Sequence, residues 1–200
     1  MRVGLFFGSF NPVHVGHLIV ANYTVNHSDL DKIWLVVSPQ NPFKKTNSLL
    51  NEYDRFHLVQ TAVDDVSSLH ASNIEFLLPK PSYTIHTLAY LKEKYPEHTF
   101  SIVLGSDGLE NLEKWKNSNE IISGYPLYVY PRPGYAIKSI PNANITIIDA
   151  PLLSISSTLI RQLLHEGKSI RYLVPDRVLE EIEKSAFYKK GSIKKIRPIV

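Results

Sequence analysis

The 200-residue chain contains no cysteine. This absence excludes a disulfide framework, thiolate-based zinc sites and iron–sulfur clusters, and it is compatible with a reducing compartment. The chain also lacks any run that approaches the roughly 18 apolar residues of a membrane span. The apolar stretch at the N-terminus meets Asn11 and Pro12 too soon to form the core of a secretory signal. We therefore expect a cytoplasmic protein with no membrane partner.

The basic charge of the chain is concentrated at one end. The formal net charge is +3, from 22 basic and 19 acidic residues. Five of the basic residues lie in a C-terminal segment without acidic residues, namely Lys189, Lys190, Lys194, Lys195 and Arg197. The rest of the chain has 17 basic and 19 acidic residues, which gives it a net charge of −2. Nucleic-acid-binding domains carry a basic stripe on their folded face, so we expect no nucleic-acid partner; binding through this tail is the alternative.

Apolar strands alternate with amphipathic helices along the chain. The pattern predicts strands at 2–7, 33–39, 73–78, 99–105, 126–131 and 144–151. It predicts helices at 16–27, 51–64, 82–96, 156–167 and 175–187. Such alternation is typical of an α/β fold in which helices cover both faces of a parallel sheet. No linker or repeat interrupts it, so we predict one domain at 1–188 and a basic tail at 189–200.

The stretch GSFNPVHVGHL, residues 8–18, leads from the first predicted strand into the first predicted helix. His14 and His17 are three residues apart, so on a helix they share one face. Gly16 between them allows another group to approach the backbone. Two imidazoles beside the N–H groups of a first helical turn form a site for an anion, and phosphate fits this chemistry best.

Two other interpretations of the histidine pair stay open. A zinc-dependent hydrolase would need further metal ligands, but residues 8–21 contain no Asp, Glu or Cys, so those ligands would be distant in the sequence. Simple packing at a turn is the plainer alternative, and it explains one histidine more readily than two.

A second motif, ISSTLIR at residues 155–161, lies far down the chain. Ser156 or Ser157 is suited to cap a helix, and Arg161 returns to the same face one turn later. Alone, this pattern is more often a helix cap followed by a solvent-exposed arginine. The sequence contains neither G-x-G-x-x-G nor G-x-x-x-x-G-K-[ST], so a phosphate group would be bound without a dinucleotide fingerprint or a P-loop.

Together, the two stretches resemble the H-x-G-H and S-[SA]-T-x-x-R signatures of the nucleotidylyltransferase superfamily. Within it, the chain is similar to the bacterial nicotinate-nucleotide adenylyltransferases. The similarity continues in order through PSYTIHTL, LGSDGLENLEKW, PRPGY and LVPDRVLEEIEKSAFY, at residues 81–88, 104–115, 131–135 and 173–188. It implies a Rossmann-like open parallel sheet. It also implies transfer of AMP from ATP to nicotinate mononucleotide, which gives deamido-NAD and pyrophosphate in NAD biosynthesis.

The resemblance further implies which residues bind the substrates. The expected catalytic set at the ATP phosphates comprises His14, His17, Lys44 and Arg161. Further ATP contacts are expected from Gly8, Ser9, Phe10, Arg132, Ser156, Ser157 and Thr158. Contacts to nicotinate mononucleotide are expected from Thr84, Ile85, Asp107, Trp115 and Lys116. Mg²⁺ would be carried on the ATP phosphates and not in a protein metal site, and assembly into a homo-oligomer stays open.

The resemblance implies particular roles for some of these residues. His17 would contact the α-phosphate in the transition state, and Lys44 would close over the phosphates. Asp107 would hold a ribose hydroxyl. Trp115 would stack on the pyridine ring, while backbone N–H groups near Thr84, Ile85 and Lys116 would receive its carboxylate.

Two positions depart from the family pattern. Phe7 precedes Gly8 where the family has a second glycine, and the loop motif P-x-H-K reads Pro42-Phe43-Lys44-Lys45, so either lysine is a candidate for the phosphate contact. The acceptor also has rivals, because adenylyl transfer to nicotinamide mononucleotide or to phosphopantetheine uses the same chemistry. A carboxylate needs only N–H donors, whereas an amide needs an acceptor as well.

Overall fold

The computed structural model describes residues 1–40, 49–151 and 153–188. Lys44, Lys45 and the basic tail at 189–200 lie outside these residues, so what the sequence predicts for them stays a prediction. The division into one domain and a tail stays a prediction as well. Within the described ranges, no helix is long and apolar enough to cross a membrane.

Six parallel strands form one open sheet, which confirms the predicted fold class. The strands are β1 (Arg2–Gly8), β2 (Lys32–Val37), β3 (Leu69–Ser72), β4 (Thr99–Gly105), β5 (Leu127–Tyr130) and β6 (Ile145–Ile147). They lie in the order β3-β2-β1-β4-β5-β6, and each neighbouring pair is parallel. In this Rossmann-like order the winding reverses between β1 and β4, which places a crevice at the carboxyl ends of these two strands.

The central strands are buried on both faces. In β1, Leu5 packs into the core on one side of the sheet and Phe6 packs into the core on the other. Leu5 also lies opposite Trp34 of β2 and Ile102 of β4 in the sheet register. Successive side chains of a strand point to opposite faces, so a strand covered on both sides is apolar at consecutive positions. This explains the uninterrupted apolar runs of β1 and β2.

Seven α-helices cover the described part of the sheet. They are α1 (Val15–Asn26), α2 (Glu52–Val63), α3 (Thr84–Lys94), α4 (Ser106–Glu110), α5 (Ser118–Gly124), α6 (Ser157–His165) and α7 (Asp176–Lys184). Helices α1, α2, α6 and α7 pack against one face, and α3, α4 and α5 pack against the other. Short 3-10 helices are present at Ile74–Leu77 and Leu112–Lys114.

The strand predicted at 73–78 is wrong. Strand β3 lies earlier, where Leu69 pairs with Ile33 of β2, and the apolar run itself forms the 3-10 helix Ile74–Leu77. A short apolar run does not distinguish a strand from a buried helical turn. Strand β6 is also shorter than predicted, with three residues at the edge of the sheet. Helices α4 and α5, of five and seven residues, are too short for periodicity to reveal.

Candidate functional site

A cavity of about 790 Å³ lies over the carboxyl ends of β1 and β4. Cationic side chains outnumber acidic ones in its lining. The cationic residues are Lys114, Lys116, Arg132 and Arg161, and the acidic residues are Glu75 and Asp107. The N-terminal ends of α1 and α6 also reach it, through His14 and Ser156 respectively. Helix N-termini carry positive partial charge. The cavity is therefore suited to a polyanionic ligand.

Most of the predicted site residues that the structure describes line this cavity. They are Gly8, Ser9, Phe10, His14, His17, Thr84, Asp107, Trp115, Lys116, Arg132, Ser156, Ser157, Thr158 and Arg161. Ile85 is placed differently, since its half-buried side chain packs against the hydrophobic core on one face of the sheet. The geometry thus brings the two sequence motifs together, while the role of each residue stays a prediction.

The loop after β1 is shaped by the ring of Phe10. Phe10 has a φ of 43° and is almost fully buried, with its ring edge-on to Phe6 and His17 at centroid distances of 5.9 and 5.0 Å. A Cβ atom on Gly8 would lie 2.8 Å from the Phe10 ring, so this position requires glycine. The Phe10 ring therefore holds the loop against the hydrophobic core.

His14 and His17 hold each other in place at the start of α1. The backbone N–H of His14 donates to Nδ1 of His17 at 3.3 Å, and the two rings stack with centroids 3.7 Å apart. Because Nδ1 of His17 accepts this bond, the proton of its neutral ring lies on Nε2. Burial, assisted by the positive charge of Arg132, lowers the pKa of His14 from 6.5 to about 4. At neutral pH His14 is therefore an uncharged ring.

Two buried polar atoms beside the cavity have no hydrogen-bond partner among the described residues. They are Oγ of Ser9 and Nδ1 of His14. Buried polar atoms are nearly always paired with protein, water or ligand, so the Ser9 hydroxyl points to a bound group; the His14 side chain also faces the backbone N–H of His17 at the start of α1. Gly16 leaves room for this arrangement, because a Cβ atom there would lie 3.1 Å from Nδ1 of His14.

The second motif forms the N-terminal turn of α6 and is bonded to the β1 loop. Ser156 caps the helix, since its Oγ accepts from the N–H of Leu159 at 3.2 Å. Oγ of Ser157 donates to the carbonyl of Pro12 at 2.8 Å. Because that bond uses the hydroxyl proton of Ser157, this residue has only its backbone N–H to offer an anion. The predicted cap is confirmed at Ser156.

Arg161 follows on the same face of α6. Its Nη1 donates to the carbonyl of Asn11 at 2.7 Å, and its Nη2 donates to Oγ1 of Thr158 at 3.3 Å. A guanidinium group has five N–H donors. The bonds to Asn11 and Thr158 therefore fix the side chain at the rim of the cavity, and other N–H groups of the guanidinium are left for an anionic ligand.

An ion pair lies at the carboxyl end of β4. Nη1 of Arg132 is 3.5 Å from Oδ2 of Asp107, and the backbone N–H of Arg132 donates to Oγ of Ser106 at 2.8 Å. A Cβ atom on Gly105, the last residue of β4, would meet Oδ1 of Asp107 and lie 2.8 Å from Cδ of Arg132, so a side chain there would displace both groups. Asp107 and Arg132 thus present an acceptor and a cation side by side, on side chains that are 38% and 44% exposed.

The far end of the cavity is formed by aromatic groups and by the first turn of α3. Trp115 is half-buried against the core, and Nζ of Lys116 lies over the ring of Tyr83 at 4.8 Å from its centroid. Thr84 and Ile85 open α3, and the N–H groups of a first helical turn have no carbonyl partner within the helix. This end combines a flat ring with the backbone N–H groups of Thr84 and Ile85, which have no hydrogen-bond partner among the described residues.

Sequence reasoning missed Arg55, which is fully buried in α2. Its guanidinium donates to four carbonyls, those of Ser9, Ser38, Pro39 and Leu50, at 2.6 to 3.0 Å. These carbonyls belong to the segments after β1 and β2 that border the cavity. Burial lowers the pKa of Arg55. The sequence does contain one signal. Arg55 lies three positions before Leu58 and four before Val59, so it shares a helix face with two apolar residues.

Glu75 is a second buried charged residue that the sequence did not reveal. Its carboxylate accepts from Oγ of Ser82 at 2.7 Å and from Oγ1 of Thr87 at 2.9 Å. Burial raises the pKa of this carboxyl, whereas the hydroxyl donors oppose the rise. Glu75 therefore ties the 3-10 helix after β3 to both sides of the first turn of α3.

The geometry also bears on the alternative of a zinc site at the histidine pair, which stays a prediction. Within the described ranges, no group of three His, Cys, Asp or Glu side chains could hold a metal ion. His14 and His17 stack against each other, and ligands to one metal ion point at a common centre.

A smaller cavity of about 380 Å³ adjoins the first. Both cavities share part of their lining, namely Phe6, His14, His17, Asp107, Tyr130, Arg132 and Ser156. The smaller cavity extends between residues 131–135 and the segment before α6, and Gly16 and Val20 of α1 form its floor. The two histidines therefore stand where two compartments meet.

The comparisons with known proteins agree with this arrangement. Residues 5–163 match the Cytidylyltransferase-like family. A relative from Cytophaga hutchinsonii, named "Probable nicotinate-nucleotide adenylyltransferase", is 51% identical over 189 residues, covering 94% of this chain and 98% of its own. One of the same name from Flavobacterium johnsoniae is 48% identical over 195 residues, covering 95% and 100%.

A solved structure supports the fold. The Plasmodium falciparum nicotinic acid mononucleotide adenylyltransferase complexed with NaAD superimposes with a TM-score of 0.78. The match covers 94% of this chain and 97% of that one, at 20% sequence identity.

Proposed function

The chain belongs to the cytidylyltransferase-like family and, within it, to the nicotinate-nucleotide adenylyltransferases, and we propose that it transfers AMP from ATP to nicotinate mononucleotide. The products are deamido-NAD and pyrophosphate, so the reaction belongs to NAD biosynthesis. One observation carries the proposal: both phosphate-binding motifs meet at one cavity, where Ser157 bonds Pro12 and Arg161 bonds Asn11 across 145 and 150 residues of sequence.

The reaction is an in-line displacement at phosphorus. An oxygen of the mononucleotide phosphate forms a bond to the α-phosphorus of ATP, and the bond from this phosphorus to the bridging oxygen of the β-phosphate breaks. The attacking phosphate is close to a dianion at neutral pH because its second pKa is near 6, so no general base is needed. The protein must bring two polyanions together and stabilise the charge that develops.

The shared lining of the two cavities is where this charge would develop. We place the α-phosphate beside Nε2 of His17, with the uncharged His14 ring and the backbone N–H of Gly16 as further donors. The β- and γ-phosphates lie at the N-terminus of α6, where Arg161 is held by Asn11 and Thr158. Oγ of Ser9, which has no hydrogen-bond partner within the described ranges, supports a bound anion at the same rim.

The two substrates then occupy the two compartments. The smaller cavity, with Gly16 in its floor, takes the adenosine of ATP beside Arg132. The larger cavity takes nicotinate mononucleotide, whose ribose hydroxyl bonds to Asp107. Its pyridine ring stacks on Trp115, and its carboxylate binds the free N–H groups that open α3.

This pocket favours an acid over an amide. The first turn of α3 supplies N–H donors, and the nearby Lys116 is a cation; both suit a carboxylate. An amide would leave its own N–H₂ group facing these donors, and unpaired donors in a buried site reduce affinity. ATP is proposed to arrive as its magnesium complex, with the ion held by phosphate oxygens and water. A cytoplasmic location and a homo-oligomeric state stay predictions.

Pyrophosphate release tests the proposal. The protein is incubated with MgATP and, in parallel, nicotinate mononucleotide, nicotinamide mononucleotide or phosphopantetheine. We expect rapid release with nicotinate mononucleotide and at least about tenfold slower release with the amide, the discrimination of one misplaced hydrogen-bonding group. Faster release with the amide or with phosphopantetheine would overturn the assigned acceptor. No release with any of the three would overturn the proposed activity.

A further inference from the structure

Tyr188 reaches the site from a different part of the chain. It lies four residues beyond the end of α7 and has a φ of 64°. Its hydroxyl donates to Oδ1 of Asn11 at 2.9 Å, across 177 residues of sequence. The proposed reaction gives Tyr188 no contact with either substrate, and Tyr188 does not line the cavity.

Asn11 is the point at which three segments meet. Its Oδ1 accepts from the N–H of Leu50 at 3.1 Å as well as from Tyr188, and its backbone carbonyl accepts from Nη1 of Arg161 at 2.7 Å. Asn11 is only 4% exposed. The side chain is thus fixed on one side by the Tyr188 hydroxyl, while the carbonyl of the same residue fixes the guanidinium of Arg161.

The surroundings keep the Tyr188 hydroxyl protonated. Burial raises its pKa, and the positive charges of Arg55 and Arg161 act in the opposite direction without cancelling that effect. A protonated phenol is a hydrogen-bond donor, so the bond to Asn11 is present throughout the neutral pH range. The hydroxyl is linked to Arg161 through Asn11, which accepts a hydrogen bond from each of them.

We propose that Tyr188 is a positioning residue for Arg161, acting through Asn11. The proposal rests on the proposed function, because it assigns to Arg161 the β- and γ-phosphates of ATP. With the hydroxyl in place, Asn11 has one side-chain orientation and one carbonyl direction, and Arg161 is aimed at the triphosphate. Without it, the Asn11 side chain loses one of the bonds that orient it, and Arg161 loses part of its alignment.

The test replaces Tyr188 by phenylalanine, which removes one oxygen and keeps the ring packed. We expect the KM for ATP to rise roughly three- to tenfold, the effect of losing one hydrogen bond. The KM for nicotinate mononucleotide stays within about twofold, because that substrate lies at the other end of the cavity. The melting temperature changes by less than about 4 °C. Tyr53→Phe is the matched control, since Tyr53 is 64% exposed and does not line the cavity.

A double-mutant cycle with Arg161→Lys shows whether the effect passes through Arg161. Residues in one network have non-additive effects, so Tyr188→Phe should change the KM for ATP by less than about twofold in the Arg161→Lys background. Additive effects, or a lower active fraction with both KM values unchanged, would overturn the positioning role and leave Tyr188 purely structural. The wild-type reaction, run alongside, separates this result from a failure of the proposed function.

Discussion

The backbone N–H of His14 is bonded to Nδ1 of His17, and the two rings stack 3.7 Å apart. This contact explains the spacing of the motif. A residue three positions into a helix can reach back to the amide that precedes the helix, so His17 fixes its own ring by accepting that N–H. The same bond leaves the proton on Nε2, which suits this nitrogen to donate to a phosphate oxygen.

Replacing His17 by alanine should therefore reduce kcat by roughly 10²- to 10³-fold, because a preorganised donor to the developing charge is lost. The measurement is steady-state pyrophosphate release with MgATP and nicotinate mononucleotide. His57→Ala is the control, since His57 is half-exposed, pairs with Glu181 and does not line the cavity. An active His17→Ala protein would restrict the pair to a structural role.

His14 should make the protein less stable in mild acid. Its folded-state pKa of about 4 lies below the ordinary value of 6.5, so the unfolded chain takes up a proton in a range where the folded chain does not. The stability that depends on the neutral His14 ring is fully present above pH 6.5 and is lost as the pH falls toward 4. The free energy of unfolding changes over this range by at most about 1.4 kcal/mol per pH unit.

Urea unfolding at pH 7 and pH 5 measures this effect. The free energy of unfolding of His14→Gln should fall less between the two values than that of the wild type, because glutamine does not titrate. Equal losses would show that the His14 pKa is close to normal in the folded protein. Saturating MgATP should raise the pKa of His14, since a nearby anion favours the protonated ring; an NMR titration of the ring would detect this.

Gly16→Ala separates stability from activity. Alanine in a helix is favoured over glycine by about 1 kcal/mol, but its Cβ atom would lie 3.1 Å from Nδ1 and 3.2 Å from Cε1 of His14. We expect stability to stay level or rise slightly, while kcat/KM for ATP falls roughly tenfold or more through displacement of the ring. Gly124→Ala in α5 is the matched control, because nothing lies within 4 Å of the position that its Cβ atom would take. Equal activity of both variants would contradict this expectation.

Arg55→Lys should destabilise the protein although the charge is kept. Lysine has three donors on one nitrogen and cannot reach all four carbonyls that the guanidinium binds. A buried carbonyl left without a donor costs about 1–3 kcal/mol, and chemical denaturation would report this loss. Arg177→Lys is the control, because Arg177 is 61% exposed and pairs only loosely with Asp64; its effect should stay within about 0.5 kcal/mol. A stability equal to that control would mean that the four bonds contribute little.

The sequence was sufficient for the features that depend on local pattern. Buried parallel strands have consecutive apolar residues, and amphipathic helices repeat with their own period, so five of the six strands and the long helices were predictable. The motif residues could be placed at the ends of β1 and α6 for the same reason. The run at 73–78 was misleading because its conformation depends on contacts with later residues. Among these, the buried carboxylate of Glu75 accepts hydrogen bonds from the hydroxyls of Ser82 and Thr87.

Contacts between distant residues were beyond such reasoning. Arg55 reaches Ser9 across 46 residues, and Tyr188 reaches Asn11 across 177. Neither has a period or a spacing that indicates its partner. In the sequence, Arg55 is one charged residue of a helix and Tyr188 one aromatic residue near the end of the chain.

The bonds from Ser157 to Pro12 and from Arg161 to Asn11 also bear on the order in which the chain acquires its activity during synthesis. The two halves of the phosphate site leave the ribosome some 145 residues apart, the half after β1 first and the half at α6 second. A nascent chain that has already assembled β1, β2 and β4 still lacks α6 and therefore cannot bind a triphosphate through both motifs. Nucleotide affinity should thus appear abruptly, once α6 has docked onto a loop that was synthesised some 145 residues before it.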